Sequence, residues 1–159
     1  MAIDLPLSCE LKDYSVLHLW TEVKSKADDV KPVFIRPEIK VKLGTRDYKA
    51  FILCRYEISR FSFECAIEGT FRFGEDISNT NVGNAWMNAC TMLYGIVRGI
   101  FSSAIAQAIH ETHFLPSVMM ANFINKRLEE LKKANESKKA DKDKSTKKRL
   151  SDPVSPKAQ

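Results

Sequence analysis

Two consecutive stretches, 48–58 and 59–73, carry apolar side chains at every second position, and this leaves little choice of local structure. In the first, Tyr48, Ala50, Ile52, Cys54, Tyr56 and Ile58 share one side. In the second, Phe61, Phe63, Cys65, Ile67, Phe71 and Phe73 do. A period of two places such residues on one face of an extended strand, whereas a helix would scatter them around its axis. Ser62, Glu64, Glu68, Thr70 and Arg72 fall on the other side of the second run. The pattern predicts an antiparallel sheet with one covered and one more polar face.

Two further strands precede this pair. Residues 14–24 read as a first strand, with Tyr14, Val16, His18 and Trp20 on one face and Leu17, Leu19 and Val23 on the other. Apolar residues on both faces predict burial on two sides. Residues 33–43 read as a second strand interrupted by Pro37, a residue tolerated at an edge or near a strand end. Ile39, Val41 and Leu43 then alternate with Lys40 and Lys42. Gly44-Thr45-Arg46-Asp47 predicts a turn. Four strands in series with short connections predict a meander.

The spacing changes near Asn84. Trp86, Leu93, Val97, Ile100, Ala104 and Ile105 recur at steps of three and four, which predicts a helix whose only charge is Arg98. A small-residue face of Ala85, Ala89, Gly99 and Ser103 would let another helix approach. The segment 110–115 breaks this helix, and Pro116 suits the first turn of a second one over about 117–134. The fold class is thus α+β: a four-stranded antiparallel sheet with two C-terminal helices. Residues 1–12 read as a flexible arm, 13–134 as the folded domain, and 135–159 as a disordered basic tail too poor in large apolar residues to bury a core.

Charge is unevenly placed. The net charge of +5 arises at one end: from Lys126 onward there are 12 Lys/Arg against 6 Asp/Glu, while residues 1–125 hold 13 against 14. The tail could contact phosphates without reading sequence, although no aromatic is interleaved to stack bases. A nucleic-acid- or ribosome-associated module acting through this tail is one functional reading. Cys9, Cys54, Cys65 and Cys90 show no C-x-x-C spacing, and strand- or helix-like contexts predict buried free thiols. No secretory signal and no unbroken apolar span of membrane length is expected, which points to a reducing cytoplasm. His110 and His113 are three apart, but they fall at the predicted break with no third ligand evident, so no metal or other cofactor is expected. No Gly-x-Ser-x-Gly elbow or phosphate-binding glycine loop occurs, and no enzyme is predicted.

Three segments carry a family resemblance. Arg36-Pro37-Glu38-Ile39-Lys40-Val41-Lys42-Leu43 resembles the second strand of the SecB family of export chaperones. Cys65-Ala66-Ile67-Glu68-Gly69-Thr70-Phe71 resembles its fourth strand. Leu93-Tyr94-Gly95-Ile96-Val97-Arg98 through Leu115-Pro116-Ser117-Val118 resembles its helix, break and second helix. The resemblance implies ATP-independent holding of unfolded or precursor polypeptides, for export or for one dedicated client such as an antitoxin. It implies a client groove lined by Ile39, Val41, Leu43, Val118, Ile124 and Leu128, and assembly as a dimer of dimers. The family's tail is acidic and ends in a zinc-binding segment that docks on the SecA motor. The resemblance thus implies SecA as a possible partner, but this tail is basic and lacks cysteine, and Ala66 stands where the family's acidic surface has Glu, so neither the acidic patch nor the zinc tail that docks on SecA is recognisable.

Overall fold

The alternation over 48–73 closes into a hairpin in which Tyr48 pairs with Phe71, Ile52 with Ile67 and Cys54 with Cys65. In the computed structural model, which describes residues 8–25, 29–58, 60–110 and 112–149, these are two of four strands. The elements are β1 (Cys9–Val23), β2 (Phe34–Lys40), β3 (Asp47–Ile58), β4 (Phe61–Phe73), α1 (Val82–Ile109) and α2 (Met120–Arg149). The sheet is wholly antiparallel with strand order β1-β4-β3-β2. β2, β3 and β4 form the expected meander. β1 lies beside β4 at the far edge, so the β1–β2 connection spans the sheet in a Greek-key-like return.

Several boundaries differ from the sequence reading. β1 begins at Cys9, so residues assigned to a flexible arm are strand, while residues 1–7 lie outside the described residues. β2 stops at Lys40, and Val41 and Leu43 fall in the connection to β3. There Gly44, at φ +77°, takes a left-handed turn that suits a residue without Cβ. Its N–H donates to the Ile77 carbonyl at 2.8 Å, and Ile77 N–H donates to the Thr45 carbonyl at 2.8 Å, which fastens this turn to the loop before α1.

α1 covers one face of the sheet. Ala85, Trp86, Ala89, Cys90, Leu93, Tyr94, Val97, Phe101 and Ile105 are buried at three- and four-residue steps. By length and composition this helix could cross a membrane, yet these side chains are the core that the sheet packs against. The small-residue face splits: Ala85 and Ala89 are fully buried under the sheet, while Gly99 and Ser103 are exposed. A straight helix over a twisted sheet presents a drifting seam, so residues on one nominal stripe meet different surroundings. Asn81 precedes α1 and is buried; its side-chain oxygen accepts from Ser78 N–H at 2.7 Å, and its amide donates to Glu75 at 2.7 Å. His110 ends the helix in the left-handed conformation, φ 57°.

The chain divides into two compact units, Met1–Ile124 and Asn125–Gln159. In the second, the helix continues to Arg149 rather than stopping near Ala134. Lys, Glu, Ala and Leu are strong helix formers, and Arg127 bridges Glu130 one turn on at 3.1 Å. Residues 150–159 of the tail lie outside the described residues.

Gly69 of β4 lies beneath Leu93 of α1 and beside the ring of Phe71. A Cβ there would meet Phe71 Cε2 at 2.7 Å and Leu93 Cδ2 at 3.0 Å. Gly69→Ala is expected to destabilise the domain by about 1–3 kcal/mol through overpacking, read as a lower urea midpoint with an unchanged slope.

Candidate functional site

Among the described residues, β1 has a hydrogen-bonded neighbour on one side only. Its register shifts between Leu11 and Asp13 and again between Val16 and His18. The second shift reverses the alternation. Val16 pairs with Ile67, Leu19 with Cys65 and Val23 with Phe61, all on the α1 side, whereas His18 and Trp20 oppose Ala66 and Glu64 on the other. The sequence had grouped Val16 with His18 and Trp20; a bulge residue that no alternation reveals separates them. The expected burial on two sides is absent from this single chain. Tyr14, Val16, Leu17, Leu19, Trp20 and Val23 are each between 43% and 57% exposed. Clustered apolar surface of this kind on a folded chain marks a binding surface.

The residues assigned to a client groove are spread differently. Ile39, Val41 and Val118 are half-buried and pack against the core, and Ile124 lies within it. Leu43 is exposed in the turn after β2. Leu128 is exposed on the helix of the second unit, as is Leu131. Thus Ile39, Val41, Val118 and Ile124 converge on one core, and Leu43 and Leu128 present open apolar surface. The α1–α2 connection adds two more exposed side chains, Phe114 and Met119, on either side of the fully buried Leu115. Tyr94 fixes this connection: its phenol donates to the Pro116 carbonyl at 2.7 Å, and burial pushes its pKa up.

The polar groups are arranged for structure. Cys54 and Cys90 are fully buried, and burial pushes both thiols up to about 12. Burial raises Cys65 to about 11. Cys9 is raised mainly by burial, which outweighs the opposing effect of its contact with Tyr48 at 3.0 Å. Such thiols are poor nucleophiles at neutral pH. Among the described residues, no three His, Cys, Asp or Glu side chains are placed to hold a metal. On the sheet face away from α1, Arg72 beside Asp47 and the pair Lys31 and Lys24 beside Glu57 hold both carboxyls below the usual range.

No protein-family model and no curated protein matches this sequence. Among solved structures, a SecB-like chaperone of Mycobacterium tuberculosis, in complex with a ChAD peptide from an antitoxin, is similar with a TM-score of 0.56. The two share 10% identity over 70% of this chain and 91% of that one. The fold is SecB-like. A Streptococcus agalactiae protein of unknown function is similar with a TM-score of 0.47 and 12% identity, over 70% of this chain and 98% of that one.

Tyr94→Phe removes the anchor of the α1–α2 connection while keeping the ring in place. It is expected to cost about 1 kcal/mol of stability and to speed amide exchange around Met120, read by hydrogen–deuterium exchange.

Proposed function

We propose that this chain is an ATP-independent holdase that binds unfolded or precursor polypeptides, including a dedicated client of the antitoxin kind. The observation that carries this reading is the amount of large apolar side chain left open on a SecB-like fold, along β1 and at Leu43, Phe114, Met119 and Leu128. An enzyme reading has less support, since the buried thiols are held in their protonated form. The peptide-bound state of the mycobacterial chaperone supports polypeptide as the ligand class. Client contacts of the Leu43 or Leu128 type are each of the order of 1.5–3 kcal/mol when fully desolvated, and several along one extended client add through multivalency. The half-buried Ile39, Val41 and Val118 would form the floor of such a groove, with Ile124 behind them. The free thiols fit the reducing cytoplasm as the place of action.

The same reading includes self-association, and the two sheet edges suggest where. β2 is short and carries Pro37, which removes a donor and blunts that edge. β1 is 15 residues long and contains no proline; its exposed Tyr14, Val16, Leu19 and Val23 lie on the α1 side, with Trp20 on the other face. A second copy offers an identical strand, and an isologous antiparallel β1–β1 pairing would extend the sheet, satisfy the open edge and set the two copies' apolar side chains side by side on the α1 side. Val16→Lys with Leu19→Lys is expected to convert the oligomer to monomer in light scattering coupled to size exclusion; an unchanged mass would sink this assembly.

Holding is tested by light scattering from a chemically denatured model protein diluted into the purified chain without ATP. Suppression at near-stoichiometric ratio is expected, and Leu43→Glu with Leu128→Glu, both exposed positions, should abolish most of it. Truncation after residue 134 should leave suppression intact; if instead only polyanion binding is seen, and truncation removes it, the basic tail carries the function.

A further inference from the structure

The sheet face turned away from α1 is a grid of charges matched across strands. Arg72 donates to both oxygens of Asp47, at 2.9 and 3.1 Å, Lys49 donates to Glu68 at 2.9 Å, and Arg55 reaches Glu64. Arg36 meets Glu38 at 3.2 Å along β2. Lys40, the exposed last residue of β2, departs from this pattern: among the described residues no carboxylate pairs with it. Its direct cross-strand neighbour is another cation, Lys49. Like charges placed opposite one another repel, and the nearest carboxylates are already engaged, Glu68 by Lys49 and Glu38 by Arg36. Three cations therefore face two anions at this corner.

A cavity of about 210 Å³ opens at the same place, lined by Glu38, Lys40, Lys49, Phe51 and Glu68 among others. Phe51 is half-buried and supplies its apolar surface. The volume is below the roughly 300–1,000 Å³ of pockets for drug-sized ligands and cofactors, so the space suits a group of one amino-acid residue. We propose that this corner binds a single carboxylate carried on a small apolar stem, as supplied by the last residue or an acidic side chain of a polypeptide. Lys40 and Lys49 take the carboxylate, and Phe51 takes the stem. Glu38 and Glu68 at the rim disfavour a second negative charge, and a neutral ligand leaves Lys40 without a counter-ion. The cavity shares Ile39 with the proposed groove floor, but single-residue probes read the cavity and aggregation of a whole protein reads holding, so either can fail alone.

The test is an amide-shift NMR titration of the full chain with three probes: N-acetyl-leucine, N-acetyl-leucinamide, and N-acetyl-glutamic acid with an amidated α-carboxyl. Shifts centred on Lys49 and Phe51 are expected with at least one of the carboxylate probes and not with leucinamide. The tighter of the two carboxylates names the source, chain terminus or side chain. Lys40→Gln, at an exposed position that leaves the fold unchanged, should weaken binding about tenfold, the scale of one lost charge-assisted hydrogen bond, whereas Lys42→Gln in the following turn should not. Leucinamide shifting the same resonances equally, unchanged affinity in Lys40→Gln, or no shifts at that corner with any probe would each overturn the proposal.

Discussion

The seat of α1 on the β3–β4 hairpin is the interaction on which the rest of the molecule depends. Phe101 presents its ring edge-on to Tyr56, Phe61 and Phe63, with centroids at 5.7, 6.1 and 5.1 Å. Edge-to-face pairs contribute about 0.5–1.5 kcal/mol each beyond the area they bury, and they fix the helix against rotation. Near the other end of α1, Tyr48 stacks on Phe71 at 5.5 Å and donates its phenolic hydrogen to the Ala85 carbonyl at 2.9 Å. Between them the backbone of Gly69 lets Leu93 come down onto the sheet. With these contacts made, β3 and β4 are paired on both sides and covered on one face, and open apolar surface remains at β1 and in the connections.

This arrangement explains what the sequence disclosed and what it concealed. The β3–β4 hairpin, its covered face and the helical seam under Leu93, Val97 and Ile105 were legible because each obeys a single period. The end of α1 at Ile109 was legible because the apolar recurrence stops there. The faces of β1 were not, because one bulge residue between Val16 and His18 shifts every later position to the other side. The continuation of α2 to Arg149 was missed for a different reason. Composition reported the lack of a core correctly, but a helix needs none when its residues have high intrinsic propensity. Of the groove residues, strand and helix periods marked Ile39, Val118 and Ile124 as apolar and recurrent. Periodicity alone does not separate a core lining from a client surface, and in this chain Ile124 is core while Leu43 and Leu128 are open.

The two edges of the sheet show how one pattern can carry two meanings. Tyr14, Val16, Leu19 and Val23 of β1 lie on the α1 side of the sheet and yet remain between 43% and 49% exposed. β1 is at the edge of the sheet, where this surface has the least cover. β2, at the opposite edge, reads the other way: Phe34, Arg36, Glu38 and Lys40 alternate with Ile35, Pro37 and Ile39, one face toward the core and one toward solvent. Pro37 then removes an edge donor, which discourages any strand from adding there. One edge of the sheet thus carries proline and charge, and the other is long and proline-free with exposed apolar side chains.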